Sequence, residues 1–350
     1  MPGKKRLIIL IPGFPADEAD STCLPFQQSL VRWLHTHHPE LDLQVISLQY
    51  PFRSGRYRFH GVPVTSLGGK NRGGLYKWLL RRKALQQLRS IHRQAPADAI
   101  LSFWMGEAAL IAGRFARKHR VRHACWLMGQ DAKAGNRYVA ALQPQPAELI
   151  ALSGFLQEEF NRNYGIRPAH LVLPGIDASL HPKTGVIKDI DLLGAGSLIP
   201  LKQFDLFIDA VAAIRKQMPG VRAMLAGDGP ERSGLEEKVK AAGLEQHITL
   251  CGELPHPILL QLMHRSRLLL HTSAYEGFGM VCAEALYGGA GVISFVQPVQ
   301  VPVEGWMTAK DTAEMARLAF DYLKERKPAV SRLPFPMEET ANRLLAALGL

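Results

Sequence analysis

Cysteine and long apolar runs are both scarce in this chain of 350 residues. Four cysteines stand at unrelated spacings, with no CxxC pair among Cys23, Cys125, Cys251 and Cys282. This pattern argues against a disulfide scaffold and is typical of the reduced, mostly buried thiols of a cytosolic protein. No apolar stretch approaches the roughly 20 residues that a membrane-spanning helix needs. Internal repeats and low-complexity tracts are absent as well.

The first residues resemble the start of a signal peptide without completing one. Lys4, Lys5 and Arg6 precede the apolar run Leu7–Ile11, which stops at Pro12-Gly13 without a small-residue cleavage site. We therefore expect Leu7–Ile11 to be a first core strand.

Acidic residues are missing from one part of the chain. Residues 53–93 carry eleven Lys/Arg and no Asp/Glu, and residues 1–186 hold 25 basic against 12 acidic side chains. This block contains a predicted basic helix, 77–89, with Trp78, Leu85 and Leu88 on its apolar side. The basic helix has two interpretations. It binds an anionic partner, either a membrane surface or a polyanion, or it packs on the core and exposes its charged face to solvent. Nucleic-acid binding is disfavoured, because no helix-turn-helix, RNP or zinc pattern accompanies the charge.

Strand-like and helix-like segments alternate almost throughout, which predicts an α/β fold of two doubly wound, Rossmann-like domains facing a cleft. We expect an N-terminal domain at 1–180, a second domain at 188–330, and a C-terminal segment, 331–350, whose helix packs back across the domain junction. Turn formers and charge between Pro174 and Lys188 mark the boundary. Predicted strands include Leu7–Ile11, Ala99–Phe103 and Arg267–His271, and predicted helices include Leu75–His92, Glu107–His119 and Met280–Tyr287.

The most informative stretch pairs two carboxylates, Glu276 and Glu284, around a glycine-rich turn. An apolar strand precedes the turn and a helix beginning near Met280 follows it, so both carboxylates lie near the carboxyl edge of a sheet. Backbone N–H groups around Gly277 and Gly279 are placed to meet an anion. Because carboxylates repel phosphate, their natural partners are sugar hydroxyls on either side of it. The pattern predicts a nucleotide-sugar site.

Five motifs stand in an order that resembles the retaining glycosyltransferases of family 4, which have the GT-B fold. They are Leu173-Pro174-Gly175-Ile176-Asp177, Gly194-Ala195-Gly196-Ser197-Leu198 with Lys202, Leu225-Ala226-Gly227-Asp228-Gly229-Pro230, Ile248-Thr249-Leu250-Cys251-Gly252, and Ser273–Gly279 with Glu284, which forms an E-x7-E pattern. The resemblance is strong over residues 150–295 and weak before them.

The resemblance implies that domain 1–180 is the acceptor side and that domain 188–330 binds the nucleotide-sugar donor. It also implies roles for individual residues. Glu276 would contact the transferred sugar, Glu284 the ribose hydroxyls, and Lys202 the diphosphate, with Glu276 and Lys202 as catalytic residues. Gly227 and Gly229 have an alternative role as a tight strand-to-helix turn. The implied donor-binding set is Gly196, Ser197, Gly227, Gly229, Gly252, Gly277, Phe278, Gly279, Met280 and Glu284; the acceptor-side set is Gly13, Trp104 and Asp131.

The resemblance also implies hexosyl transfer with retention, from a UDP- or GDP-sugar to a glycan or lipid-linked acceptor, in cell-envelope polysaccharide or glycolipid synthesis. No cofactor and no metal are expected. Asp189-Ile190-Asp191 looks like a metal-binding DxD motif, but its place at the start of a strand favours a structural role. The expected location is cytoplasmic, peripheral on the inner face of the membrane, with no nucleic-acid partner.

The first loop, 12–18, lacks the family's paired glycines, and the region after Phe295 lacks its glycine-rich segment. Two single positions also depart from the family pattern. Ser197 stands where the family carries an arginine, and Met128 where it carries a histidine in the segment ending at Asp131. The departures are compatible with an unusual donor or acceptor, and also with a noncatalytic protein that binds a nucleotide-sugar. Candidate general acids or bases near predicted ligand edges are His60, His123 and His271.

Overall fold

The computed structural model describes residues 4–182, 186–325 and 328–350. The chain divides into two compact units: Met1–Asp177 with Met337–Leu350, and Ala178–Pro336. Residues 183–185, inside the predicted boundary segment, lie outside the described residues. Within the described ranges, no helix is long and apolar enough to cross a bilayer.

The first unit contains an eight-stranded sheet in the order β3-β4-β2-β1-β5-β6-β7-β8. Its strands are β1 Lys5–Gly13, β2 Leu41–Tyr50, β3 Ser54–Phe59, β4 Val62–Leu67, β5 Ala99–Phe103, β6 Arg122–Leu127, β7 Leu149–Ala151 and β8 His170–Leu171. The unit's helices are α1 Pro25–His37, α2 Leu75–Gln94, α3 Glu107–His119, α4 Arg137–Leu142, α5 Gly154–Tyr164 and, at the end of the chain, α11 Met337–Leu348.

The β3–β4 hairpin was not predicted, because its residues fall in the charged block and were interpreted only for their charge. β3 pairs antiparallel to β4, so the first sheet is not wholly parallel. The turn residues His60 and Gly61 both have positive φ, 44° and 84°, as a type I′ hairpin turn requires. Arg56 and Arg58 are exposed while Phe59 is buried, which is the alternation of an edge strand.

The second unit contains a six-stranded, wholly parallel sheet in the order β11-β10-β9-β12-β13-β14. Its strands are β9 Ile190–Ala195, β10 Ala223–Ala226, β11 Ile248–Gly252, β12 Ser266–His271, β13 Gly291–Ser294 and β14 Trp306–Thr308. Its helices are α6 Phe204–Arg215, α7 Arg232–Ala241, α8 His256–Arg265, α9 Met280–Tyr287 and α10 Thr312–Glu325. Because all the strands are parallel, the loops that follow β9–β13 share one edge.

Each sheet is buried between helices. Leu7–Ile11 in β1 are fully buried, which confirms the predicted core strand. Helix α2 buries Leu80, Ala84, Leu88 and Ile91 on one face. Trp78 was wrongly predicted on that face; 48% of it is exposed, because the first turns of α2 extend past the core.

Helix α11 completes the first unit. It packs against α1, β5 and β6. The Thr340 hydroxyl donates to the carbonyl of Leu173 at 2.8 Å, and the Met337 amide donates to the carbonyl of Ile176 at 3.0 Å. The last fourteen residues therefore belong to the core built by the first half of the chain.

Candidate functional site

Glu276, in the turn after β12, is the centre of a charged cluster. Its Oε2 lies 2.6 Å from Lys202 Nζ and 3.1 Å from His271 Nε2. Burial disfavours the carboxylate, but the hydrogen bond from His271 and the charge of Lys202 outweigh it and lower the pKa of Glu276 to about 2. The structure thus brings together Glu276 and Lys202, and it adds His271 to them.

The backbone that carries Lys202 is tied to the turn that carries Glu276. Lys202 ends a 3-10 turn, Pro200–Lys202, between β9 and α6. The Thr272 hydroxyl donates to the Lys202 carbonyl at 2.8 Å. The Ala274 amide donates to the Leu201 carbonyl at 3.0 Å. Since Thr272 is fully buried, these bonds fix the two turns against each other.

The turn between Glu276 and α9 is tightly packed. Gly279 has φ 86° at the helix N-cap. A Cβ there would lie 3.3 Å from the Trp306 ring, and that ring is oriented by its Nε1–H, which donates to Ser294 Oγ at 2.8 Å. Gly277 is buried, and Phe278 packs edge-on against Phe335. Met280 is the first residue of α9, so the helix starts where the motif predicted, and its first amides face the carboxyl edge.

Glu284 lies in the second turn of α9 and has a partner that sequence reasoning missed. Its Oε1 is 2.8 Å from Nε2 of His256, and the two side chains are only 12% and 13% exposed. His256 is the first residue of α8, which packs against α9. The pair therefore occupies the same carboxyl edge as Glu276.

Three predicted donor-site glycines join the turns that follow β9 and β10. A Cβ on Gly227 would lie 1.9 Å from the carbonyl oxygen of Gly196, and one on Gly229 would lie 2.4 Å from that of Leu198. The Gly227 amide also donates to the Gly252 carbonyl at 2.8 Å. Gly227 and Gly229 are thus required by close backbone packing, which is the alternative that the sequence left open. Ser197 lies exposed in the same turn.

In the first unit, the three acceptor-side candidates follow the carboxyl ends of neighbouring strands. Gly13 ends β1. Trp104 follows β5 with φ 64°. Asp131 follows β6, and its Oδ2 accepts from the amides of Met128 at 2.8 Å and Met105 at 2.9 Å. Burial raises the pKa of Asp131 to about 6, although these amides favour the carboxylate.

Glu107 neutralises part of the basic block. This carboxylate lies 2.6 Å from both Lys77 Nζ and Arg81 Nε. Burial opposes its ionisation, but Arg81, Lys77 and Tyr138 outweigh burial and lower the pKa of Glu107 to about 2. Exposed cations remain at Lys70, Arg72, Arg82 and Lys83.

The remaining candidates have ordinary structural surroundings. Asp189 forms an ion pair with Arg265 at 2.5 Å, and Asp191 forms one with Arg267 at 3.3 Å, at the edge where β9 begins.

His123 is buried in the first unit beside Ser102 Oγ at 2.9 Å, and burial lowers its pKa to about 4. His60 lies in the β3–β4 turn. Within the described ranges, no three side chains of the metal-ligating types come together.

A groove of about 880 Å³ lies in the first unit. It runs along α4 and the end of α5, from Gly135 to Pro146 and from Tyr164 to Arg167. None of the predicted site residues is among the residues that line this groove.

Most of the second unit is similar in sequence to known glycosyltransferases. Residues 179–303 match the family model "Glycosyl transferases group 1". The glycogen synthase of Mycobacterium tuberculosis is 27% identical over 181 residues, which cover 49% of this chain and 43% of that enzyme. The chain therefore spans less than half the length of this relative.

Two solved structures resemble nearly the whole chain. Anabaena HepE, crystallised with UDP and glucose, has a TM-score of 0.72, 18% identity and 99% coverage of both chains. Sucrose-phosphate synthase from Thermosynechococcus elongatus has a TM-score of 0.71, 16% identity and coverage of 99% of this chain and 95% of that one. The chain has the GT-B fold, and its second unit matches the group 1 glycosyltransferases.

Proposed function

We propose that the protein transfers a hexose from a UDP- or GDP-sugar to a glycan or lipid-linked acceptor, with retention and without a metal. The observation that carries this proposal is the cluster of Lys202, Glu276 and His271 beside the N-terminus of α9. It joins a cation and helix amides, which suit a diphosphate, to a carboxylate, which suits sugar hydroxyls.

In the proposed reaction, the negative charge that develops on the leaving diphosphate is stabilised by Lys202 and the first amides of α9. The backbone of Lys202 is fixed in advance by the bonds that Thr272 and Ala274 donate to the carbonyls of Lys202 and Leu201, which limits the reorganisation needed as the charge develops. Glu276 holds a hydroxyl of the transferred sugar, and Glu284 holds the ribose. The glycines at 196, 227, 229, 252, 277 and 279, with Ser197, Phe278 and Met280, shape the donor site.

The diphosphate must compete with Glu276 for Lys202, because the two side chains form a 2.6 Å ion pair. A bound diphosphate offers the ammonium group two charged oxygens in place of one. The carboxylate released from Lys202 is then available to the sugar. His271 remains beside Glu276 and keeps its carboxylate ionised.

The test is calorimetric titration with UDP, GDP and their hexose conjugates, followed by transfer assays. We expect Glu276→Ala to lower turnover by about 100-fold or more, a typical effect for loss of a preorganised charged group, with the fold retained. Glu237→Ala, at an exposed position on α7, is the matched control. Full turnover in Glu276→Ala would refute the site.

A noncatalytic nucleotide-sugar-binding protein is the second candidate, favoured by Ser197 and Met128 at positions where the family places Arg and His. It predicts donor binding without transfer or hydrolysis across a broad acceptor panel. Restoring the cation with Ser197→Arg distinguishes the two candidates. A gain in turnover supports the enzyme, and a gain in binding alone supports the binding protein.

We also propose that α2 contacts an anionic membrane, where the protein would act in envelope glycan or glycolipid synthesis on the cytoplasmic face. Four apolar side chains are exposed at its start, and we call Leu75, Tyr76, Trp78 and Leu79 the α2 tip. Arg72 and Arg82 stack over two of these rings, at 5.0 and 4.6 Å from the ring centroids. Apolar side chains ringed by cations suit an interface of acyl chains and anionic headgroups.

The test is co-sedimentation with vesicles of phosphatidylglycerol and phosphatidylcholine. We expect the double variant Tyr76→Ser/Trp78→Ser to bind at least about tenfold more weakly, because two amphipathic rings leave the interface. The control is Ile258→Ser, an exposed apolar residue of the second unit. Unchanged vesicle binding in the double variant would exclude the α2 tip as the contact.

A further inference from the structure

We propose that His256 is a positioning residue for the donor ribose, acting through Glu284. The inference rests on the proposed function, since it takes the nucleotide-sugar as the ligand. It adds a residue that none of the sequence motifs contains. The role is to hold one carboxylate in the orientation that a pair of vicinal hydroxyls requires.

The backbone around His256 limits where its ring can lie. Pro255 is the N-cap of α8, with φ −53° and ψ 138°, and Pro257 follows in the first turn. Each proline ring fixes its own φ, and Pro257 also restricts the conformation of the residue before it. His256 is therefore presented from a stiff helix start, with its imidazole 13% exposed.

The contact itself is directional. His256 Nε2 lies 2.8 Å from Oε1 of Glu284, the length of a charge-assisted hydrogen bond. Either the Nε2–H tautomer or the imidazolium donates to this oxygen. A carboxylate accepts about four hydrogen bonds over its two oxygens. The imidazole occupies Oε1 of Glu284, and the ribose hydroxyls donate to Oε2.

The need for such a contact follows from the position of Glu284. It lies on an eight-residue, mostly apolar helix, MVCAEALY, and the residue is only 9% exposed. A carboxylate side chain has several rotamers, and fixing it on binding would cost ordering entropy. An imidazole already bonded to one oxygen removes that cost before the nucleotide arrives.

The experiment compares UDP with 2′,3′-dideoxy-UDP by calorimetry, on the full chain. For His256→Ala we expect about tenfold weaker binding of UDP, the size of one weakened hydrogen bond to a charged group. We expect little change for the dideoxy analogue, which has no hydroxyls for Glu284 to hold. His256→Gln, whose amide nitrogen reaches the place of Nε2, should recover most of the affinity for UDP.

His247→Ala is the matched control, because His247 lies at the opposite end of β11 and contacts the Val221 carbonyl at 3.0 Å. An equal loss on both nucleotides in His256→Ala would mean that α8 is merely destabilised, and would overturn the inference. Unchanged UDP binding in His256→Ala would also overturn it. If the wild-type protein binds neither UDP nor GDP, the proposed function fails, and the positioning role fails with it.

Discussion

At the scale of single residues, Glu276 shows how a sequence motif acquires its chemistry from its neighbours. The motif supplied the carboxylate and, by resemblance, Lys202. His271 was only one of three candidate histidines, and the structure distinguishes it by its 3.1 Å contact with Glu276. No motif pointed to His256, because a single histidine between two prolines has no characteristic spacing.

The low pKa of Glu276 predicts a pH-dependent contribution to stability. Its pKa is about 2 in the folded protein and about 4.3 in an unfolded chain. The stabilisation is therefore fully present above about pH 4.5 and is lost as the pH falls toward 2, by about 3 kcal/mol in all. We expect the difference in melting temperature between wild type and Glu276→Gln to shrink between pH 6 and pH 3. A constant difference would refute this.

Asp131 predicts the opposite pH dependence. Its folded pKa of about 6 exceeds the ordinary value of about 3.9, so the stability that protonation gives is present below about pH 4 and is lost as the pH rises through 6, by up to about 3 kcal/mol. Asp131→Asn should therefore melt higher than wild type at pH 8 and not at pH 4. A lower melting temperature at both values would show that the amide cannot accept the bonds from Met105 and Met128.

At the scale of elements, the sequence predicted most helices and parallel strands because their apolar periodicity is strong. β5 and α3 have the predicted bounds, Ala99–Phe103 and Glu107–His119. The β3–β4 hairpin was missed, because the arginines of β3 were interpreted as part of the basic block and not as the exposed positions of a strand. The six-residue helix α4 is too short for periodicity to reveal.

The hydrogen bonds between the turn that carries Lys202 and the turn that carries Glu276 predict that Thr272 affects donor binding through the backbone of Lys202. Thr272→Val keeps the shape of a buried side chain but removes the hydroxyl that donates to the Lys202 carbonyl. We expect a stability loss of about 1–2 kcal/mol and a several-fold loss in UDP affinity, measured by thermal unfolding and calorimetry. Thr249→Val, on an exposed position of β11, is the control. Equal UDP affinities in the two variants would show that the turns stay in place without this bond.

At the scale of the whole molecule, the first unit is not continuous in sequence, because the last segment of the chain belongs to it. The sequence predicted that the C-terminal helix packs back across the domain junction, but not which core it completes. The apolar spacing of this helix indicates only that one face is buried. The hydrogen bonds from Thr340 to Leu173 and from Met337 to Ile176 place that face in the first unit. Contacts between residues so far apart in sequence leave no local pattern to detect.

This arrangement predicts that truncation at Pro336 disables the unit at the other end of the chain. Removing α11 would uncover apolar surface where Met337, Leu344, Leu345 and Leu348 are now buried. At about 1.5–3 kcal/mol for each large side chain, the loss is on the order of 10 kcal/mol, comparable to the stability of a whole domain.

The truncated chain should therefore show no cooperative melting of the first unit. The second unit, whose site residues all lie between Gly196 and Trp306, should keep its own transition. Adding UDP should still raise the temperature of that transition, as binding to the folded state requires. Leu344→Ala, which should cost about 2–5 kcal/mol, is the graded control. Two intact transitions in the truncated chain would refute the assignment of α11 to the first core.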